Sequence, residues 1–317
     1  MIKIYKKINA PVVELDHPEP DCWINISRPF NKENLQGLSA ELDIPDDFLM
    51  DSIDINEKSR YERDEDVKLI VINTPIHNTE DNDIDSDSLY ICIPVGIILM
   101  VDKIITISSY PNPLMEWFER TVVKDLNSSD RERFVLKILE RNVAYFTHYL
   151  KEINRRIAEI EKELYNSSRN EELNKLLDIQ KSLVYFVNDL RANELVMMKM
   201  QRTDFLGIKE DPDAEDLVND IVIDNSQALE MANVYTNILN GTMDVFASII
   251  SNNLNNVMRR LTSVTIVLMV PTLVASFYGM NVKLPLTGSN VAFPIVVGIS
   301  LLLSIIIAWV FMRKKWF

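Results

Sequence analysis

The sequence predicts an α+β membrane protein: a soluble α/β domain, a long helical stalk and two transmembrane helices at the C-terminus of each subunit. Three observations carry that reading. Two uncharged apolar segments close the chain, residues 261–278 and 291–312. The stretch before them keeps helical periodicity from Ser129 onward. Residues 1 to about 120 carry instead short β-branched runs bounded by Asn, Asp and Pro.

The α/β domain is assigned to residues 1–120. Within it VKLIVINTP (67–75), SLYICIPVGIILMV (88–101) and KIITISSYP (103–111) read as strands. Residues 31–54 have helical spacing interrupted at Pro45. The intervening loop places Asp81, Asp83, Asp85 and Asp87 at alternate positions, as a calcium loop does. Such a loop needs Gly where this chain has Ser86 and Glu where it has Cys92, so a solvated acidic turn is expected.

Residues 121–212 are expected to form a helical hairpin. Two amphipathic stretches, 130–164 and 171–200, are joined by a turn at NSSRN (166–170). A break follows at GIKEDPDAED (207–216), after which no proline occurs until Pro271 apart from Pro212 within the break itself. A helix from about Glu215 to Tyr278 would be about 100 Å long at 1.5 Å per residue. A rod of that length implies partner helices from other subunits. Gly241 interrupts it and reads as a point of close packing rather than a hinge.

The stalk is placed at 213–260, the first span at 261–279, an external loop at 280–290, the second span at 291–312 and a basic tail at 313–317. A span needs roughly 20 apolar residues. Arg259 and Arg260 precede the first span, Arg313, Lys314 and Lys315 follow the second, and only Lys283 lies between. The positive-inside rule then puts both termini in the cytoplasm. The N-terminal MIKIYKKINA has no apolar core of a signal peptide. A multi-pass protein of a cell membrane is expected.

Charge is unevenly distributed. The net charge is −14, yet no acid occurs after Asp244. Six of the 33 basic side chains lie beyond residue 258, so residues 1–258 carry 27 basic against 47 acidic groups, a net of −20. Such a domain repels nucleic acid and concentrates cations. Cys22 and Cys92 form no CxxC pair, and His17, His77 and His148 are scattered, so neither a disulfide framework nor a Cys/His metal centre is expected. There is no P-loop, nucleophile elbow or paired-His motif, which argues against an enzyme.

One helical stripe runs through the stalk and first span. Asn255, Met258, Leu261, Thr265, Met269, Thr272 and Ser276 follow steps of three and four and share a face. The face mixes amides, hydroxyls and thioethers. In lipid such a face must point at protein or water. Around a symmetry axis it would line a narrow pore with apolar collars at Met258, Leu261 and Met269. Small-residue packing within a helix bundle fits the same spacing.

At the outer end of this segment stand Gly279, Met280 and Asn281, in YGMN. A Gly-Met-Asn motif there, two C-terminal spans, an acidic α/β domain, a long stalk and the closing RKKW together resemble the CorA family of divalent-cation channels. The resemblance implies a pentameric funnel whose first span lines the pore. It implies that Asn281 forms the outer selectivity ring and that Thr272, Met269, Leu261, Met258 and Asn255 form the ladder below. It implies cytosolic metal-sensing carboxylates at subunit interfaces, matched by position to Asp220 with Asp51 as its partner. The transported and regulatory ion would be Mg²⁺, with Co²⁺, Ni²⁺ and Zn²⁺ as alternatives.

A ring of Asn carbonyls can accept hydrogen bonds from an ion's water shell without stripping it, which suits Mg²⁺. Gly279 would let the backbone turn tightly at the helix end. Many family members follow the motif with an acidic MPEL-type loop. Here VKLPLTGSN keeps Pro285, lacks the Glu and adds Lys283. Two other readings compete: a Zn²⁺, Co²⁺ or Ni²⁺ transporter of the ZntB-like branch, and a non-conducting membrane scaffold. The stripe lacks the His and Cys that softer metals prefer, which favours Mg²⁺.

Overall fold

The computed structural model describes residues 2–6, 13–29, 32–79, 87–121, 127–166, 170–280 and 291–314. Asn281, the loop after it, Asp81, Asp83, Asp85, the turn at 167–169 and the last three residues lie outside them. The chain forms two compact units, Met1–Thr242 and Met243–Phe317.

The first unit is built on a seven-stranded sheet: β1 (Ile2–Lys6), β2 (Val13–Leu15), β3 (Cys22–Ser27), β4 (Arg60–Asp64), β5 (Val67–His77), β6 (Tyr90–Leu99) and β7 (Lys103–Ser108), in the order β2-β1-β3-β7-β6-β5-β4. All pairs are antiparallel except β3 with β7, which run parallel from Cys22↔Lys103 to Ser27↔Ser108. The three strands read from the sequence correspond to β5, β6 and β7, each with shifted ends. β3 is missed because Cys22 to Ile26 are all buried, so no polar alternation marks it. β4, RYERD, is missed because it is a charged edge strand.

Alternate residues of β3 point to opposite layers. Cys22, Ile24 and Ile26 join Leu38, Leu42, Phe48 and Leu49 of α1 (Lys32–Leu42) and α2 (Asp46–Ile53). Pro45 caps α2 at the expected break, and Asp46 and Asp47 sit in its first turn, where a helix favours negative charge. On the other layer Trp23 stacks 5.4 Å from Phe134 and donates from Nε1 to Thr106 Oγ1 at 2.9 Å. Phe134 belongs to α4 (Arg131–Asn166), which follows α3 (Pro113–Arg120). α4 and α5 (Asn170–Thr203) pack on each other and on β5 and β6.

A polar network ties α5 to the sheet. Asn73 of β5 donates from Nδ2 to Asp189 Oδ1 at 2.8 Å. Asn193 accepts the Asn73 N–H at 3.0 Å and donates to its carbonyl at 2.8 Å. Asn142 of α4 donates to the same carbonyl at 3.0 Å.

α6 runs from Pro212 to Tyr278, 67 residues in one helix. Its portion in the first unit is antiparallel to α5: Gln201 donates to Asn219, Asn225 to the Leu190 carbonyl and Gln180 to Asn240, at 2.7–2.9 Å. Ala214, Val218, Ile221, Ala228, Ala232 and Leu239 are buried. This part of the rod therefore has partners within its own chain, where the sequence suggested helices from other subunits. Gly241 is not a point of close packing within this chain: a Cβ there would meet nothing within 4 Å among the described residues.

The second unit contains the rest of α6 and α7 (Ala292–Arg313). Both helices are long and apolar enough to cross a membrane, and their most apolar windows are almost bare. Pro271 lies inside α6 and has no N–H for the Val267 carbonyl. Ser304 Oγ of α7 donates to that carbonyl at 3.3 Å, which joins the two helices.

Candidate functional site

The seven-residue stripe lies on one exposed face of α6. Asn255, Met258, Leu261, Thr265, Met269, Thr272 and Ser276 are all exposed, and Met258, Leu261 and Met269 are more than half so. Between Leu261 and Tyr278, the residues of α6 that are buried or half-buried are Ser263, Ile266, Val267, Val270, Pro271 and Val274. At about 100° per residue these two sets lie roughly opposite each other around the helix. The face that takes the Ser304 hydrogen bond is thus turned away from the stripe. Among the described residues of the second unit, nothing covers the stripe.

Its threonine hydroxyls are already oriented. Thr265 Oγ1 donates to the Leu261 carbonyl at 2.8 Å and Thr272 Oγ1 to the Leu268 carbonyl at 3.1 Å. With the proton committed to the helix, each hydroxyl oxygen presents lone pairs outward. That is the polarity needed to accept hydrogen bonds from water around a cation. Arg259 and Arg260 stand near its Asn255 end.

The helix ends at Tyr278, and Gly279 still donates its N–H to the Ala275 carbonyl at 2.9 Å. Gly279 does not adopt a positive φ; Gly207 is the glycine that does among the described residues. The tight turn expected of Gly279 is therefore not made through a left-handed conformation at that residue. Met280 follows with its side chain half exposed.

The two proposed sensor carboxylates have different surroundings. Asp220 is exposed on α6 and makes no ion pair among the described residues. Asp51 at the end of α2 pairs with Arg60 of β4, whose guanidinium also holds Glu57 and Glu62. Burial opposes the charge of Arg60, and its hydrogen bonds to Glu62 and Glu57 more than restore it. Among the described residues no group of three His, Cys, Asp or Glu side chains converges on a metal position. Sequence reasoning missed the Arg60 clamp, because it forms where the chain turns back from α2 into β4, and neither element's pattern marks that meeting. It could have found the orphan carbonyl at Val267, four residues before Pro271, but not its donor on α7.

Residues 21–315 match the family model described as CorA-like Mg²⁺ transporter protein. The chain belongs to the CorA family. CorA proteins are divalent-cation transporters rather than enzymes, and the two apolar helices place this member in a membrane. A cobalt/magnesium transport protein CorA of Methanocaldococcus jannaschii is 29% identical over 309 residues, covering 93% of this chain and 90% of the relative. The complete structure of the CorA magnesium transporter from the same organism superposes with a TM-score of 0.79 at 24% identity, covering 100% of this chain and 99% of that one. The cytoplasmic domain of ZntB from Vibrio parahaemolyticus has the same fold at a TM-score of 0.57 and 14% identity, covering 80% of this chain and 97% of that one.

Proposed function

We propose that this CorA chain assembles as a homopentamer that conducts hydrated Mg²⁺ inward through a pore lined by α6, with both termini in the cytoplasm. The observation that carries the reading is the uncovered stripe of α6 on the side away from α7. A polar face crossing lipid needs protein or water against it. Symmetric copies of α6 around an axis would supply both. Asn281 would form the outer ring and Gly279 and Met280 would shape the approach to it. Thr272 and Thr265 would accept hydrogen bonds from the hydrated ion, with Met269, Leu261 and Met258 as apolar collars and Asn255 at the inner end. Ser276 would lie between the outer ring and Thr272. The membrane potential supplies about 2.3 kcal/mol per elementary charge per 100 mV, and twice that for a divalent ion.

Intracellular Mg²⁺ bound between Asp51 and Asp220 of neighbouring subunits would hold a closed symmetric state. Its loss would leave acids repelling one another. The regulation requires Mg²⁺ to bind the closed state more tightly than the open one. The Arg60 clamp adds a condition: Mg²⁺ competes with a guanidinium for Asp51. The domain limits follow this scheme, with a sensing domain at 1–120, a hairpin at 121–212, a stalk at 213–260, spans at 261–279 and 291–312, and an external loop at 280–290.

The test is Mg²⁺ uptake into proteoliposomes carrying an entrapped Mg²⁺ dye, for wild type and Asn281→Ala. Uptake by the wild type that the substitution abolishes supports the asparagine ring. Absence of wild-type uptake at low internal Mg²⁺ rejects Mg²⁺ as the cargo. Zn²⁺, Co²⁺ and Ni²⁺ uptake, with Mg²⁺ as competitor, then separates transport of a softer metal from a non-conducting scaffold.

A further inference from the structure

The one parallel strand pair among the described residues opens a second site, far in sequence from the stripe. β3 and β7 end in register at Ser27 and Ser108. Their continuations diverge, Arg28 from one and Tyr110 to Asn112 from the other, and α3 begins at Pro113. A crevice beyond the carboxyl ends of parallel strands is where open α/β sheets admit ligands. Here it is a cleft of about 150 Å³, lined among others by Arg28, Tyr110 and Asn112.

Asn112 supplies the second observation. Its residue is only 3% exposed. Its Oδ1 caps α3 by accepting the Leu114 N–H at 2.9 Å, which assigns the other side-chain atom as the amide nitrogen. That nitrogen is buried with no hydrogen-bond partner among the described residues. A native protein seldom leaves a buried donor unused. The cap cannot release it, because turning the amide over would aim donors at the helix N-terminus.

Charge selects the occupant. Two carboxylates line the cleft, and both are engaged. Glu119 takes Lys3 at 2.9 Å and the Asn25 amide at 2.8 Å. Glu116 takes Arg120 at 3.3 Å. Arg28 is left over: its guanidinium stacks 4.4 Å from the Tyr110 ring centroid and ion-pairs with no carboxylate among the described residues. The Tyr110 carbonyl accepts from Ser108 Oγ at 3.0 Å, which fixes that ring's backbone. An acidic domain thus keeps one local excess of positive charge, beside an unused amide donor and a helix N-terminus.

We propose that this cleft binds the phosphate group of a small anion, either inorganic phosphate or a phosphorylated metabolite, with Arg28 and the Asn112 amide as its donors. A planar guanidinium matches phosphate oxygens, and a helix N-terminus favours negative charge. The volume admits a phosphate head and a few further atoms, well short of the roughly 300 Å³ or more of a drug-sized pocket. The site belongs to the α/β unit and does not depend on which ion the membrane unit conducts.

The experiment is isothermal titration of the full-length protein in detergent, in Mg²⁺-free buffer at constant ionic strength, with inorganic phosphate and separately with glycerol 3-phosphate. Saturable binding is expected for at least one probe. Tighter binding of glycerol 3-phosphate assigns the site to phosphorylated metabolites, and tighter binding of inorganic phosphate assigns it to the free ion. Arg28→Gln is expected to weaken binding about tenfold or more, the scale of a lost charge-assisted hydrogen bond. Asn112→Asp keeps the cap acceptor but replaces the donor with a carboxylate, and is expected to abolish binding while far-UV circular dichroism stays unchanged. If Asn112→Asp fails to fold, Arg28→Gln decides. No saturable binding of either probe, or binding unchanged in Arg28→Gln, overturns the proposal.

Discussion

Ser304 of α7 donates its hydroxyl to the Val267 carbonyl of α6, the one carbonyl that Pro271 deprives of a helical N–H. In lipid an unsatisfied carbonyl is costly, so a neighbouring helix provides the donor. The hydroxyl also reaches the Ser300 carbonyl of its own helix at 3.0 Å. Ser304→Ala should therefore destabilise the membrane unit by about 0.6–1.7 kcal/mol, the range of interhelical hydrogen bonds in membranes. Pro271→Ala restores the missing N–H, so Ser304→Ala should cost less in that background. Denaturant unfolding in micelles across the four-variant cycle checks this; equal costs in both backgrounds would sink it.

Gly96 of β6 permits α2 to lie against the sheet. A Cβ at that position would overlap the Ser52 side chain and come within 2.9 Å of Ile107 Cγ2. Ser52 is buried and donates to the Phe48 carbonyl at 2.6 Å, so it cannot swing aside freely. Gly96→Ala should destabilise the first unit by about 1–3 kcal/mol, as overpacking does. Thermal melts should show partial recovery in the Gly96→Ala, Ser52→Gly double variant.

Asp189 gives the first unit a pH-dependent term. Burial pushes its carboxyl up to about 6, against the opposing effect of hydrogen bonds from Cys92 and Asn73. An acid raised in the folded state is costly to ionise there. Its penalty is absent below the unfolded value near 4 and fully present above about 6. Stability should thus fall as pH rises through that window, by on the order of 2–3 kcal/mol from this group. Asp189→Asn keeps an acceptor for Asn73 and should flatten that part of the profile, measured by urea unfolding between pH 4 and 7. An unchanged slope would assign the pH dependence to other groups.

The Arg60 clamp makes the regulatory proposal quantitative. Asp220→Ala should leave Mg²⁺ uptake intact and blunt its inhibition by internal Mg²⁺. Arg60→Gln releases Asp51 from a partly exposed ion pair. It should lower the half-inhibitory Mg²⁺ concentration by about two- to fivefold, the scale of such a pair. Inhibition that neither substitution alters would remove both carboxylates from the sensor. Proteoliposome uptake at stepped internal Mg²⁺ measures both.

Much of this protein is legible in its sequence, for identifiable reasons. The apolar runs of α7 and the end of α6 are long and uncharged, so composition alone marks them. The 3.6-residue period of α4 and α5 and the break at Pro45 are local signals that tertiary packing did not override. The stripe from Asn255 to Ser276 could be drawn because helical spacing assigns a face without knowledge of the neighbours. β1 to β4 could not be read in this way. They are short, and an edge strand of charged residues or a strand buried on both faces carries no alternation.

The sequence by itself determined the family layout, the two spans, the charge asymmetry and the residue set of the candidate pore. Each depends on order along one chain. The tertiary structure alone decided which carbonyl meets Ser304, that Arg60 claims Asp51, that α5 accompanies the first half of α6, and that Asn112 carries an unused buried donor. Those facts depend on how segments meet in the folded unit: Ser304 and Val267 are 37 positions apart, and even Arg60 and Asp51, nine apart, lie on different elements. Such contacts are selected by packing and hydrogen-bond satisfaction over the folded unit, which periodicity and composition along the chain do not encode.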